Sequence, residues 1–166
     1  FIGYSKCNPD VSFYLNYFGE KIYKVSLDGG FTCPNRDGTL GTGGCIFCSE
    51  GGSGDFASSS CLSVTDQISA GIEMVSKKIE NGKYIAYFQA RTNTYAPLEV
   101  LKSKYEEVLK IDNVIGLFIA TRCDAITEDT LDYLEELNKR TYLTIELGLQ
   151  TIHEKTSKLI NRGHTL

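Results

Sequence analysis

Three thiols in a short glycine-rich run are the first residues that could do chemistry. Cys33, Cys45 and Cys48 lie within "CPNRDGTLGTGGCIFC", with eleven residues in the first gap and two in the second. Structural zinc would want four ligands at a closed site. Cys45 and Cys48 fit as a close pair, Cys33 as a third ligand, and Cys61, separated from Cys48 by twelve residues, as a fourth. Incidental buried thiols are a poorer account, because a Cys-x-x-Cys pair rarely sits by accident inside a run of glycines. An iron–sulfur cluster is the third reading. Ordinary electron-transfer clusters take four cysteines, so three would leave one iron open to another ligand. Gly38, Gly41, Gly43 and Gly44, continued by Gly51, Gly52 and Gly54, would let backbone N–H groups approach the sulfurs closely. That wealth of glycine favours the cluster and leaves zinc open. The glycines are not a phosphate-binding loop, since Gly-x-x-x-x-Gly-Lys-Ser/Thr is absent.

The elements that must position these thiols alternate in type. "KIYKVSL" (Lys21 to Leu27) alternates apolar and polar residues and ends at the turn signal "DGG". Val64, Ile68, Ile72, Val75 and Ile79 recur at helical spacing, and Ser63 with Asp66 resembles a capping box. "KYIAYFQA" (Lys83 to Ala90) reads as a second strand. Pro97 suits a first helical position, ahead of a face made by Leu98, Leu101, Tyr105 and Val108. "VIGLFIAT" (Val114 to Thr121) is nearly all apolar, as a strand buried on both faces should be. Leu131, Leu134 and Leu137 mark a helix after Thr127. "YLTIELGL" (Tyr142 to Leu149) is a fourth strand, and "HEKTSKLIN" (His153 to Asn161) a short helix. Four consecutive strand–helix units predict a parallel α/β sheet, open or part of a (β/α) barrel. Such folds carry their ligands at the C-terminal ends of the strands. The cysteine loop follows the first strand there, and Gln89, Arg122 and Gln150 follow the next three.

Composition narrows the classes. The 166 residues are 42% hydrophobic and 23% charged, enough for one globular core, with a formal net charge of -4. That balance does not predict a large phosphate-binding surface. No apolar run approaches a membrane span, and "FIGYSKCNPD" is not a signal peptide. A cytoplasmic protein is expected, in which clustered thiols bind metal more often than they form disulfides. The lack of an initiator Met and the unmarked end at "NRGHTL" suggest a piece of a longer protein, residues 1–166 being the N-terminal portion of one domain.

Four blocks together carry a resemblance: "SLDGGFTCPNRDGTLGTGGCIFCSEGGSGDFA", "TNTYAPLEVLKSKYEEVL", "GLFIATRCDAI" and "IELGLQTIHEKTSKLINRGHT". In that order they resemble the radical S-adenosylmethionine superfamily, in its bacterial branch related to the catalytic subunit of Elongator. The resemblance implies a partial (β/α) barrel and a [4Fe–4S] cluster with Cys33, Cys45 and Cys48 on three irons. The fourth iron would chelate the amino and carboxylate groups of S-adenosylmethionine. An electron, supplied by a donor such as flavodoxin or ferredoxin, would cleave the sulfonium C–S bond to give methionine and a 5′-deoxyadenosyl radical. That radical would take a hydrogen atom from a substrate, with a tRNA base suggested by the kinship. Phe47 matches the aromatic beside the adenine. Gln150 and Arg162 resemble contacts to the ribose and carboxylate.

This sequence also departs from the superfamily. Its first cysteine gap is long. "QARTNT" replaces the usual glycine-rich motif, so the methionine amino group is assigned to backbone there with Gln89 or Thr92. "TRCD" puts Cys123 where relatives usually have proline. Arg122 is a further cofactor candidate. Glu146, within the fourth strand, needs a partner, either Arg122 inside the barrel or a helix edge. Asp124 suits a cap or a site carboxylate. His153 and His164 read as structural or solvated, the tyrosines as core fillers, and "EDTLDYLEELNKR" as a solvated helix face. Cys7 and Cys61 have no role. The rival from another class is a zinc-stabilised module for RNA or protein, without redox chemistry.

Overall fold

A computed structural model describes residues 9–49, 61–76 and 82–166. Cys7 and the glycines Gly51, Gly52 and Gly54 lie outside the described residues. The elements run α1 (Pro9–Phe18), β1 (Ile22–Leu27), α2 (Val64–Ser76), β2 (Lys83–Phe88), α3 (Leu98–Leu109), β3 (Val114–Thr121), α4 (Glu128–Asn138), β4 (Tyr142–Leu147) and α5 (Glu154–Leu159). The four strands form one sheet in the order β1-β2-β3-β4, and every neighbouring pair is parallel. The fold is α/β, with strands and helices alternating as in part of a (β/α) barrel.

The two faces of the sheet differ. On one, Leu27, Ala86, Phe88, Leu117 and Ile119 are buried against Ile68 of α2, Leu101 and Tyr105 of α3, and Leu134 and Leu137 of α4. Each fully buried side chain of this size contributes about 1.5–3 kcal/mol. On the other face Ile22, Ile85 and Phe118 pack on Tyr14 of α1. Tyr14 meets Phe118 and Tyr142 edge-on at centroid distances of 6.1 and 6.4 Å. The sequence reading did not anticipate α1.

Local signals hold up in detail. Ser63 caps α2 through the Asp66 N–H at 3.0 Å, and its hydroxyl donates to the Asp66 carboxylate at 2.7 Å. Thr127 caps α4 by accepting from the Thr130 N–H. Pro97 falls one residue earlier than expected, as the N-cap of α3 with ψ 141°. Strands two and four end two residues sooner than their apolar runs suggest. After β4 the chain turns at once, with Gln150 at φ 65°.

The segment "QARTNT" knits the strand ends together. The buried Asn93 amide donates to the Phe88 and Ala120 carbonyls at 3.0 and 2.8 Å, bridging β2 and β3. The hydroxyls of Thr94 and Thr121 meet at 2.6 Å, and Thr94 also donates to the Ala125 carbonyl. With these side chains turned inward, the C-terminal edge of the sheet becomes a firm rim.

Candidate metal and cofactor site

A cleft of about 310 Å³ opens on that rim. Cys33, Cys45 and Cys48 line it, each partly buried. Phe47, Gln89, Thr92, Arg122, Gln150 and Arg162 line it too, so all nine residues singled out in the sequence meet in one space. The path to it is visible in the loop after β1. Cys33 opens a turn whose carbonyl accepts from the N–H groups of Arg36 and Asp37 at 2.8 and 3.1 Å. Cys45 opens a second turn, closed by the Cys48 N–H at 3.0 Å. Gly44 enters that turn at φ 71°, and a Cβ there would lie 2.9 Å from the Arg36 Nε. The position therefore demands glycine.

Residues the sequence did not flag hold the thiols. Asn35, 2% exposed, donates its amide to the carbonyls of Asn161 and Arg162 at 2.7 and 2.9 Å, and lies 3.4 Å from the Cys45 sulfur. Asn161 returns the link by donating to the Gly44 carbonyl at 2.8 Å. Arg36 donates to the Cys48 and Ser49 carbonyls. A Cβ at Gly163 would sit 2.3 Å from the Asn35 Oδ1, so the chain beyond α5 can close on Asn35 only with glycine there.

Two arginines bind the rim to the segment after α5. Arg122 grips Asp124 with two parallel bonds, Nε to Oδ1 at 2.9 Å and Nη2 to Oδ2 at 2.7 Å. Its Nη1 donates to the Arg162 carbonyl at 2.9 Å and lies 3.9 Å from the Cys33 sulfur. Arg162, 4% exposed, donates to the carbonyls of Leu149, Thr151 and His164. It acts first as a strut for the cleft wall. Glu146 does not reach Arg122; it accepts instead from the Tyr87 hydroxyl at 2.5 Å, and both line the cleft. His164 lines it as well, rather than facing only solvent.

The charges follow from these contacts. Burial pushes the Cys48 thiol up, the Cys45 and Cys33 thiolates add to that, and Arg36 pulls it back down. Burial would raise the Asp124 carboxyl, but the Arg122 guanidinium outweighs it and holds Asp124 below the usual carboxylate range. Burial and the Glu146 carboxylate push the Tyr87 hydroxyl well above its ordinary value.

The donor set tests what the cleft can hold. Tetrahedral zinc with Zn–S bonds of about 2.3 Å needs sulfurs about 3.8 Å apart. Among the described residues, the trio with ligand atoms gathered closely enough for a single ion is Cys123, Asp124 and His164. The three cleft thiols do not all lie within 4.8 Å of one another. Cys61 is exposed and does not line the cleft. The cleft thus gathers three thiols, with Cys61 outside it.

Comparison with known proteins agrees. Residues 35–166 match the family model of the radical SAM superfamily. The chain belongs to that superfamily. It is similar to the uncharacterized protein YtqA of Bacillus subtilis, 57% identical over 155 residues, covering 90% of this chain and 48% of YtqA. Protein YhcC of Escherichia coli K12 is 43% identical over 148 residues, covering 89% of this chain and 47% of its own. The uncharacterized protein MJ0486 of Methanocaldococcus jannaschii is 40% identical over 151 residues, covering 89% and 45%. The chain thus spans about half the length of these curated relatives. Members of that superfamily typically use a [4Fe–4S] cluster and S-adenosylmethionine. Among the described residues, no helix is long and apolar enough to cross a membrane.

Proposed function

We propose that this chain is the cluster-bearing part of a radical enzyme, with Cys33, Cys45 and Cys48 on three irons of a [4Fe–4S] cluster. The fourth iron is left for the amino and carboxylate groups of S-adenosylmethionine. The observation that carries the reading is the meeting of these thiols and six cofactor candidates in one cleft at the C-terminal edge of a parallel sheet. When bound and reduced, the cluster supplies the electron that breaks the cofactor's sulfonium C–S bond.

The chain's own side chains have the remaining work. Phe47, half exposed and next to Cys48, offers its ring to the adenine. Gln89 and Thr92, at the end of β2, offer polar groups to the methionine amino end. Gln150, in its left-handed turn, faces the ribose. Arg122 is charge-balanced by Asp124 and serves the carboxylate side through its third edge. Arg162 shapes the wall and, with four N–H bonds already made to backbone, has little left for a ligand. The electron comes from a flavodoxin or ferredoxin type of donor in a cytoplasm that keeps thiols reduced.

Kinship with the Elongator-related branch makes a tRNA base our choice of substrate. The net charge of -4 predicts no large phosphate-binding surface on this chain, so we assign that surface to the part of the relatives' length outside it. The test is anaerobic reconstitution of the full-length protein with iron and sulfide. Wild-type protein should hold about four irons per chain. Alanine at 33, 45 or 48 should lose them, and Cys61→Ala should not. If Cys61→Ala loses iron as Cys45→Ala does, the three-ligand site is wrong. If the loaded protein with a strong reductant and S-adenosylmethionine yields no 5′-deoxyadenosine, the radical reaction is wrong.

A further inference from the structure

At the outer lip of the cleft, three donors of different type converge. Cys123 and Asp124 follow β3, and His164 comes from the far segment beyond α5. Their ligand atoms all lie within 4.8 Å of one another. We propose that these three residues form a second, mononuclear site for a borderline-soft divalent ion of the zinc class. It is separate from the three thiols of the cleft.

The three side chains lie close enough to share such an ion once the His164 ring turns to aim a nitrogen lone pair at it. With Zn–S of about 2.3 Å and Zn–N of about 2.05 Å, a tetrahedral ion separates its sulfur and nitrogen ligands by about 3.6 Å. The Cys123 sulfur lies 3.6 Å from His164 Nδ1 and 3.9 Å from Nε2. The Thr165 carbonyl oxygen lies 2.8 Å from Nδ1 and accepts its proton in one neutral tautomer. That tautomer leaves the Nε2 lone pair free, the arrangement by which a metal-bound imidazole is usually oriented. Asp124 spends one lone pair on each oxygen on Arg122 and keeps two of about four. A hydrogen-bonded carboxylate of this kind is the ordinary state of a metal ligand.

The scaffold is also held in place. Arg122 donates to the Arg162 carbonyl, and Arg162 donates twice to the His164 carbonyl. Backbone 162–164 is thereby pinned to the residues after β3 before any ion arrives. Three protein ligands leave the fourth position to water, as in zinc sites that are not closed. Because His164 also lines the cleft, the ion would stiffen the wall beside the cofactor candidates. Arg122 and Cys123 are neighbours, so the two metal centres would share one wall.

The test uses full-length, cluster-loaded protein passed through a desalting column after equilibration with micromolar zinc. Elemental analysis should give one zinc per chain beyond the iron. Cys123→Ser and His164→Ala should bind zinc at least tenfold more weakly by competition with a chromogenic chelator, with their iron content unchanged. Zinc bound equally by wild type and both variants, or no zinc retained by the wild type, overturns the proposal. If the variants also lose iron, the zinc X-ray absorption spectrum of the wild type decides. One sulfur among nitrogen and oxygen ligands supports the site. Two or more sulfurs, the mark of zinc misplaced on the cleft thiols, or none, overturns it.

Discussion

Asn35 does more for the candidate site than its plain side chain suggests. One buried amide joins the cysteine loop to Asn161 and Arg162, and reaches the Cys45 sulfur. Asn35→Ala should remove two hydrogen bonds, one from each carbonyl, and cost about 1–3 kcal/mol. Denaturant unfolding would read the loss. Iron retained after reconstitution should fall with it, because Cys45 loses its backing; full iron content in a destabilised Asn35→Ala protein would show that the amide serves the fold alone. The three thiols were legible as a group because they sit among glycines, and Gln89, Arg122 and Gln150 because they are polar residues at strand ends; Phe47 and Arg162 were picked out by the family resemblance, and the structure puts all of them, with Thr92, along one cleft. Asn35 was not legible, since its partners are 126 and 127 positions away and nothing local marks an asparagine after proline as a staple. Arg162 was legible as important, but its bonds to backbone carbonyls, made by the turns after β4, could be seen only in three dimensions.

Between elements, the contact most open to test joins α3 to α4. Glu106 accepts from Arg140, at 3.0 Å through Nη1 and more closely through Nη2, and from the Tyr133 hydroxyl at 3.1 Å. Bonding to Arg140 holds the Glu106 carboxyl below its ordinary value, against burial, which would raise it. A carboxyl depressed in the folded state stabilises above its unfolded pKa, and that stability is lost as pH falls through the folded value. Glu106→Gln should therefore cost about 0.5–1 kcal/mol near pH 7. The difference from wild type should shrink toward zero below about pH 4. Equal destabilisation at pH 7 and pH 3.5, read by thermal melts, would remove the ion pair as the cause. At this scale the sequence told the existence and kind of eight elements, because burial on one or both faces leaves period and apolar runs behind. It overran β2 and β4, where apolar residues continue past the last paired position into turns. It missed α1, whose Phe13, Leu15 and Tyr17 are exposed, so its apolar residues do not mark one buried face.

Among the described residues, β4 is an edge strand of the sheet. β4 pairs on one side with β3, and its residues are only partly covered. Leu147 is 54% exposed and Leu149 40%. A strand edge with apolar neighbours is a template for another chain. The 166-residue chain on its own should associate in a concentration-dependent way, and sedimentation velocity would register it; a single monomer boundary at high micromolar concentration would contradict this. The parallel order and the strand–helix rhythm were legible in the sequence at this scale too, because parallel strands need long crossovers.

The tie between residue 35 and residues 161 and 162 also sets a timetable. A ribosome makes Cys33, Cys45 and Cys48 early, yet the backing for Cys45 emerges only when Asn161 and Arg162 have left the exit tunnel. Until then these thiols hang on a loop whose closure must span 126 positions, and that closure is entropically opposed. Closure of the thiol loop is therefore an event that follows synthesis of this stretch, after all four strands of the sheet have been made.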